Sequence, residues 1–449
     1  MSDMRHSHLT NDLLESYLKE SNRSDAADQF LMHLISICPE CAAIGNTILA
    51  AYQAGALPPE FSPTDVELFA SRTAADGLWS ALEALPAEEQ MQRVRADGSY
   101  VSWGLAELLC QKSVEAGFHD PARAIVLASM AVQIAQRLRE SEPCEREWLY
   151  ELRAFAWSHL ASAYRISGDL RQADRTVSTS DRWWKRGFES MGDALGYEPV
   201  ILSLKASLRR DQRRFDEALE LLSTVIGIYI AGNPATQDFH MAGRAFLLKA
   251  KVFEEQGDLE QALSLLREAS PLIDPERDPR LALCLWHNHV DYLSKLGRSD
   301  EARALLPQVQ KLAQTLGNAL DLARLRWVEA RIASGLGDTV EAERLYLHTR
   351  DEFASHGIAF DVAFVSLELA ILYAKEKRYA DIKELSRDIG SLLQAQGLHQ
   401  EAIAAFFAAF ERATISECVP RDVLQDLTKI LGSVKRPRNS EALLGDLIA

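Results

Sequence analysis

Trp157-Ser-His-Leu160-Ala161-Ser-Ala-Tyr164-Arg-Ile-Ser-Gly168-Asp-Leu170-Arg-Gln-Ala173 is the stretch that decides how this chain reads. Trp157, Leu160, Ala161 and Tyr164 fall at i, i+3, i+4 and i+7, which is one face of a helix. Gly168 then ends that helix, because a residue without Cβ enters the left-handed conformation at little cost. Leu170, Ala173 and Val177 open a second amphipathic helix. Ala173 lies where two helix backbones pass closely and only a small side chain fits.

The same phrase recurs. Gly257–Ala262, Gly297–Ala302 and Gly337–Ala342 repeat the Gly-to-Ala interval, and these glycines are spaced by 40 residues. Arg213–Ala218 and Lys377–Ile382 continue the register with the glycine replaced, and His119–Ala124 is a more divergent copy. Trp286, Tyr292 and Trp327 keep parts of the aromatic face. No Val/Ile/Thr alternation competes as a strand signal. A single helix pair cannot bury its own apolar face, so stacked pairs must supply the core.

The Trp–Leu–Ala–Tyr–Gly–Ala order resembles the tetratricopeptide repeat. The resemblance covers residues 103–414, roughly seven helix pairs, with a period longer than the roughly 34 residues of the standard repeat. It implies an all-α fold: a right-handed helical-repeat, tetratricopeptide-like solenoid that binds other proteins or peptides. Residues 55–63 carry three prolines and a glycine (Gly55-Ala-Leu-Pro-Pro-Glu-Phe-Ser-Pro63) and read as a linker. Residues 64–102 read as a helical N-terminal cap, and 415–449 as a C-terminal cap with a flexible tail.

Residues 1–54 form a small helical domain with the one grouping at metal-ligand spacing, His33-Leu-Ile-Ser-Ile-Cys38-Pro-Glu-Cys41, preceded by His8. A CxxC loop with a histidine a turn earlier suits a tetrahedral zinc. The order resembles the zinc-binding anti-sigma domain of bacterial anti-sigma factors. It implies zinc held by His8, His33, Cys38 and Cys41, and a sigma factor as partner. This chain has four residues between His33 and Cys38 where that domain has three. The extra residue rotates Cys38 by about 100° on a continuing helix. A metal-free relict of the domain, or an unrelated helix pair with a chance CxxC, is the alternative.

In tetratricopeptide proteins the first helix of each pair lines the concave face. Counting from the turns puts Arg165, Arg210, Arg244, Lys251, Asp291, Arg324, Trp327 and Arg331 there. With Lys295 and Lys375, and with Asp211, Glu254 and Glu255, the count is eight basic against four acidic residues. A basic groove would suit an acidic protein or peptide partner, with arginine forks pairing carboxylates and Trp327 as an aromatic anchor. Trp183-Trp184 reads as core or inter-repeat packing ahead of a binding platform. His287 and His289 point about 200° apart on a helix, so His287-Asn-His289-Val-Asp291 reads as structural.

Net charge is −16 with 25% charged residues. That field repels nucleic acid and anionic membranes. No apolar run reaches the roughly 18 residues of a membrane span. His6, His8, Asp12, Glu15 and Lys19 interrupt any signal-peptide core, so a cytoplasmic protein is expected. Six cysteines do not make a disulfide framework. There is no GxSxG, HExxH or GxxxxGK[ST]. The sequence therefore favours a non-enzymatic interaction protein, with an adaptor in a signalling or defence complex, or a peptide-sensing receptor, as alternatives.

Overall fold

The turn residues do what their chemistry asks. Gly168, Gly257, Gly297 and Gly337 have φ of 89°, 89°, 75° and 83°, and Arg213 and Lys377 take the same left-handed turn at 61° and 60° despite their Cβ. At five of these turns the next N–H reaches back to the carbonyl five residues earlier (Arg214 to Arg209, Asp258 to Phe253, Arg298 to Leu293, Asp338 to Ala333, Arg378 to Tyr373). This is the Schellman closure of a helix end. The residue after the turn alternates along the chain: Asp169, Arg214, Asp258, Arg298, Asp338, Arg378. Each aspartate caps the next helix by accepting from the N–H three residues on. Each arginine instead pairs with an acid three residues on: Arg214 and Arg298 fork onto Glu217 and Glu301, and Arg378 donates Nε to Asp381.

A computed structural model describes residues 63–385, apart from 118, 140–145, 192–195, 232–236, 379 and 383. Among these residues the chain is all helical, without a strand. It divides into two compact units, one ending at Val252 and the other starting at Phe253.

The first unit begins with α1 (Pro63–Glu83) and α2 (Ala87–Ala96), then a 3-10 turn at Gly98–Tyr100. Helix pairs follow: α3 (Trp103–Gly117) with α4 (Pro121–Arg137), α5 (Arg146–Ile166) with α6 (Leu170–Met191), and α7 (Glu198–Asp211) with α8 (Phe215–Ala231). Helix α9 (Phe239–Gln256) starts the next pair and carries the boundary between the units. Leu105, Leu109, Met130, Ile134 and Leu152 are fully buried at the centre. Helix α1 lies so close to α3 that a Cβ on Gly104 would stand 2.3 Å from the Ser71 carbonyl oxygen. Arg72 forks onto Glu107 with both bonds at 2.7 Å, and the Tyr197 hydroxyl donates to the same carboxylate.

The second unit continues with α10 (Leu259–Ala269), then α11 (Pro279–Lys295) with α12 (Ser299–Leu316), α13 (Ala319–Leu336) with α14 (Thr339–Ser355), and α15 (Ala359–Lys375). Asp278 caps α11 with Pro279 in its first turn, as Asp120 and Pro121 do for α4. From Gly297 to Gly357 a left-handed glycine marks a turn every 20 residues (297, 317, 337, 357), so helix and return helix have equal length. Val365, Leu367, Leu369 and Phe353 are fully buried. Each such leucine contributes on the order of 2 kcal/mol by leaving water.

The alanine of each repeat is sealed. Ala124, Ala173, Ala218, Ala262, Ala302 and Ala342 are all 0% exposed, and Ile382 replaces them at 1%. Within each unit, neighbouring first helices pack on one another (α3 on α5, α5 on α7; α11 on α13, α13 on α15), whereas neighbouring second helices barely meet. The first helices therefore hold the inner side of the curve.

Candidate functional site

The expected groove residues fall in both units. In the first, Arg165 is buried and donates Nη1 to Asp211 at 3.2 Å, and Arg210 donates Nη2 to the same carboxylate at 3.0 Å. Arg244 and Lys251 are half-buried on α9. In the second unit Arg324 is buried, 3.6 Å from Asp321, and Arg280 forks onto that same 1% exposed aspartate. Trp327 and Arg331 are half-buried on α13.

The second unit's inner face is one connected ladder. Glu254 at the end of α9 accepts from Lys295 Nζ on α11 at 2.7 Å, and Lys295 also meets Asp291 at 2.7 Å. Asp291 accepts from Arg331 Nη1 on α13, and Ser294 Oγ takes that nitrogen at 3.2 Å. Arg331 Nη2 then donates to Glu368 on α15 at 2.8 Å, and Trp327 Nε1 donates to Glu368 at 2.9 Å. The Arg331 guanidinium lies 5.5 Å from the Trp327 ring centre. Every rung that crosses between helices joins residues 37 to 41 positions apart, one repeat of sequence.

Local physics accounts for the ladder's charges. Burial alone would raise the Asp291 carboxyl, but Lys295 and Arg331 outweigh it and hold the group at about 2. Burial opposes the charge on Arg331, and Glu368 and Asp291 more than restore it, so its pKa rises. Lys295 is raised in the same way by Asp291 and Glu254. The His287 imidazole is lowered to about 4, chiefly by burial, with Asp291 opposing and Arg324 reinforcing the shift. Asn288 lies beside it, and neither Asn288 Nδ2 nor the His287 ring nitrogens meet a partner at hydrogen-bonding geometry.

Sequence counting found Arg331, Trp327, Asp291, Lys295 and Glu254. It did not find Glu368, the carboxylate that joins Arg331 to Trp327, nor Asp321. The signal for Glu368 was present, since it lies 41 residues beyond Trp327, one repeat on. These acids offset the cations, so the second unit's inner face alternates in charge. His289 stacks on Trp286 at 6.0 Å, turned away from His287. No group of three His, Cys, Asp or Glu able to hold a metal occurs among the described residues. His8, His33, Cys38 and Cys41 lie outside them.

No protein-family model matches the chain, and no curated protein sequence does. Solved structures do. A Rap protein complexed with competence and sporulation factor superposes with a TM-score of 0.53, covering 72% of this chain and 85% of that one at 12% identity. The chain has the tetratricopeptide-like helical-repeat fold. Aspartyl phosphate phosphatase F from Bacillus subtilis covers 84% of this chain and 95% of its own at 12% identity, with a TM-score of 0.49. At 12% identity the likeness to the Rap protein shows the fold alone. No described helix is long and apolar enough to cross a membrane.

Proposed function

We propose that this chain is a non-enzymatic regulator that binds a protein or peptide on the inner face of α11, α13 and α15. The observation that carries this reading is Arg331, held between Asp291 and Glu368 above Trp327. Such a polar surface is already ordered before a ligand arrives, which lowers the entropy cost of binding. Lys295 spends two bonds on Glu254 and Asp291, and its ammonium carries a third donor for a ligand carboxylate. Trp327 supplies an aromatic surface beside them. The solved neighbour in complex with competence and sporulation factor is one fold counterpart that carries a bound factor.

Affinity purification of the full chain from its native cell, read by mass spectrometry, tests this. Arg331→Gln and Trp327→Ala should each lower recovery of a discrete partner at least tenfold, with helix content by circular dichroism unchanged. An unaltered partner set would remove the reading. A second reading, an adaptor subunit, keeps the same fold and needs no soluble peptide ligand. The proposed zinc at His8, His33, Cys38 and Cys41, with a sigma factor as partner, is tested apart from the groove. Metal analysis of purified protein, and of Cys38→Ser with Cys41→Ser, should show one zinc lost, and no bound metal in the parent would end that proposal.

A further inference from the structure

Helix α6 is polarised in charge across its width. Two of its acids turn toward α7: Asp174 takes Arg209 Nη1 at 2.6 Å, and Asp181 takes Lys205 Nζ at 2.8 Å. Its arginines go the other way. Arg171, Arg175, Arg182 and Arg186 are all exposed, and among the described residues none of the four meets a carboxylate. Intervals of four, seven and four residues put them within an arc of about 60°, in a stripe about 22 Å long. Lys185 is exposed on the stripe's edge. Arg182 is steadied by Thr179 Oγ1 at 3.0 Å, and the Arg186 guanidinium lies 5.0 Å from the Trp183 ring centre.

The large aromatic side chains of the helix lie off the stripe: Trp183 is about 60° round from Arg186, and Trp184 and Phe188 are well over 100° from the stripe's centre. Phe188 is 46% exposed, unusual for so large an apolar side chain, and lies 5.6 Å from Trp184. Trp183 fills the space between Arg186 and Arg153, each guanidinium 5.0 Å from its ring centre. Arg153 is held in turn by the carbonyls of Ala135 and Leu138 at 3.1 Å, so the platform is anchored to α4. Helices α5 and α6 have 21 and 22 residues, against 15 and 17 for α3 and α4, and 14 and 17 for α7 and α8.

We propose that this stripe forms a docking surface for an acidic segment of a partner protein, about one helix of 15 residues in length. Charge complementarity selects the occupant. A short acidic segment feels the stripe within a Debye length of about 8 Å. A long polyanion or an anionic bilayer also meets the field of a chain with net charge −16. The arginines set orientation and encounter rate. This surface lies on a second helix of the first unit and is independent of the inner face of the second.

The test uses the full chain and a displayed library of random 15-residue peptides. The enriched pool should be rich in Asp and Glu. A labelled peptide from it should lose affinity at least tenfold on Arg175→Glu with Arg182→Glu, and again on Arg171→Glu with Arg186→Glu, all at exposed positions where the fold tolerates change. Two further arms use a single-stranded oligonucleotide of matching length and vesicles of phosphatidylserine with phosphatidylcholine. No acidic enrichment, a peptide indifferent to both variants, or oligonucleotide or vesicle binding with the same dependence on them would overturn the proposal.

Discussion

Arg331 and Glu368 stand 37 residues apart in sequence and meet in a forked ion pair, Nη2 to Oε1 at 2.8 Å and Nε to the same oxygen at 3.2 Å. Their side chains are 15% and 16% exposed, so the pair is largely removed from water. Asp291 holds the other side of the guanidinium. Removing Arg331 leaves two carboxylates facing each other with no cation between them, and stripping one partner from a buried pair is costly. Arg331→Met is expected to lower stability by about 3 kcal/mol, read as a shift in the urea midpoint. Glu368→Gln, which keeps an acceptor for Trp327 Nε1, should cost about 1 kcal/mol.

Lys377 occupies the left-handed turn that glycine takes in the neighbouring repeats, with φ at 60°. A side chain in that conformation costs roughly 1–2 kcal/mol, partly offset by glycine's greater freedom when unfolded. Lys377 is exposed, and glycine keeps the hydrogen bond that the backbone N–H of this position donates to the Ala374 carbonyl. Lys377→Gly should therefore stabilise the chain by about 0.5–1 kcal/mol. The reverse change, Gly337→Lys at φ 83°, should destabilise it by a similar amount or more. A urea titration of both variants separates the two signs.

Gly104 leaves no room for a Cβ, because the Ser71 carbonyl oxygen and the Arg72 Cα would stand 2.3 and 2.5 Å from it. Both obstacles are backbone, so the helix itself must move. Gly104→Ala should lift α1 from α3, weaken the Arg72–Glu107 fork and expose α1 to protease. Limited proteolysis should cut within residues 63–83 in the variant and spare them in the parent.

The His159 imidazole is lowered by burial from 6.5 to about 4, and its ring lies edge-on to Phe155 at 4.5 Å. Above pH 6.5 neither folded nor unfolded chain binds this proton, so the residue has no effect on stability. Between 6.5 and 4 the unfolded chain takes the proton and the folded chain refuses it, so stability falls as pH falls. Below 4 the loss is complete. At pH 5 the deficit is about 2 kcal/mol by linkage. Replacing His159 with Phe should flatten that part of the profile, leaving the share that His287 contributes in the same direction.

Much of this architecture was legible from spacing alone. The turn at Gly168 and its successors announced the helix ends, and the register predicted that Arg213 and Lys377 would stand where glycine stands elsewhere. Both do, in the left-handed conformation. The alanines five residues on read as close-packing sites, and all are sealed. Side-chain pairing was less legible. Helical offsets say which residues face the inner side, but not how far an arginine reaches, so Glu368 went unseen as the partner of Arg331. The division of the chain inside α9 left no mark in sequence, because Val252 and Phe253 sit in an unbroken amphipathic helix. Trp183 reads as packing and does lie against the core, yet two guanidiniums flank its ring, and Phe188, beside Trp184, remains in water.

Site-specific photocrosslinking in the native cell tests the central claim most directly. A photoreactive phenylalanine analogue is placed in turn at Asn288, Trp327 and Phe364 on the inner first helices, and at Val340, which is 80% exposed on a second helix, as the control. The account predicts one discrete crosslinked species shared by the inner positions, weakened by Arg331→Gln and absent at Val340. Crosslinks from Val340 alone, or none from the three inner positions, would contradict it.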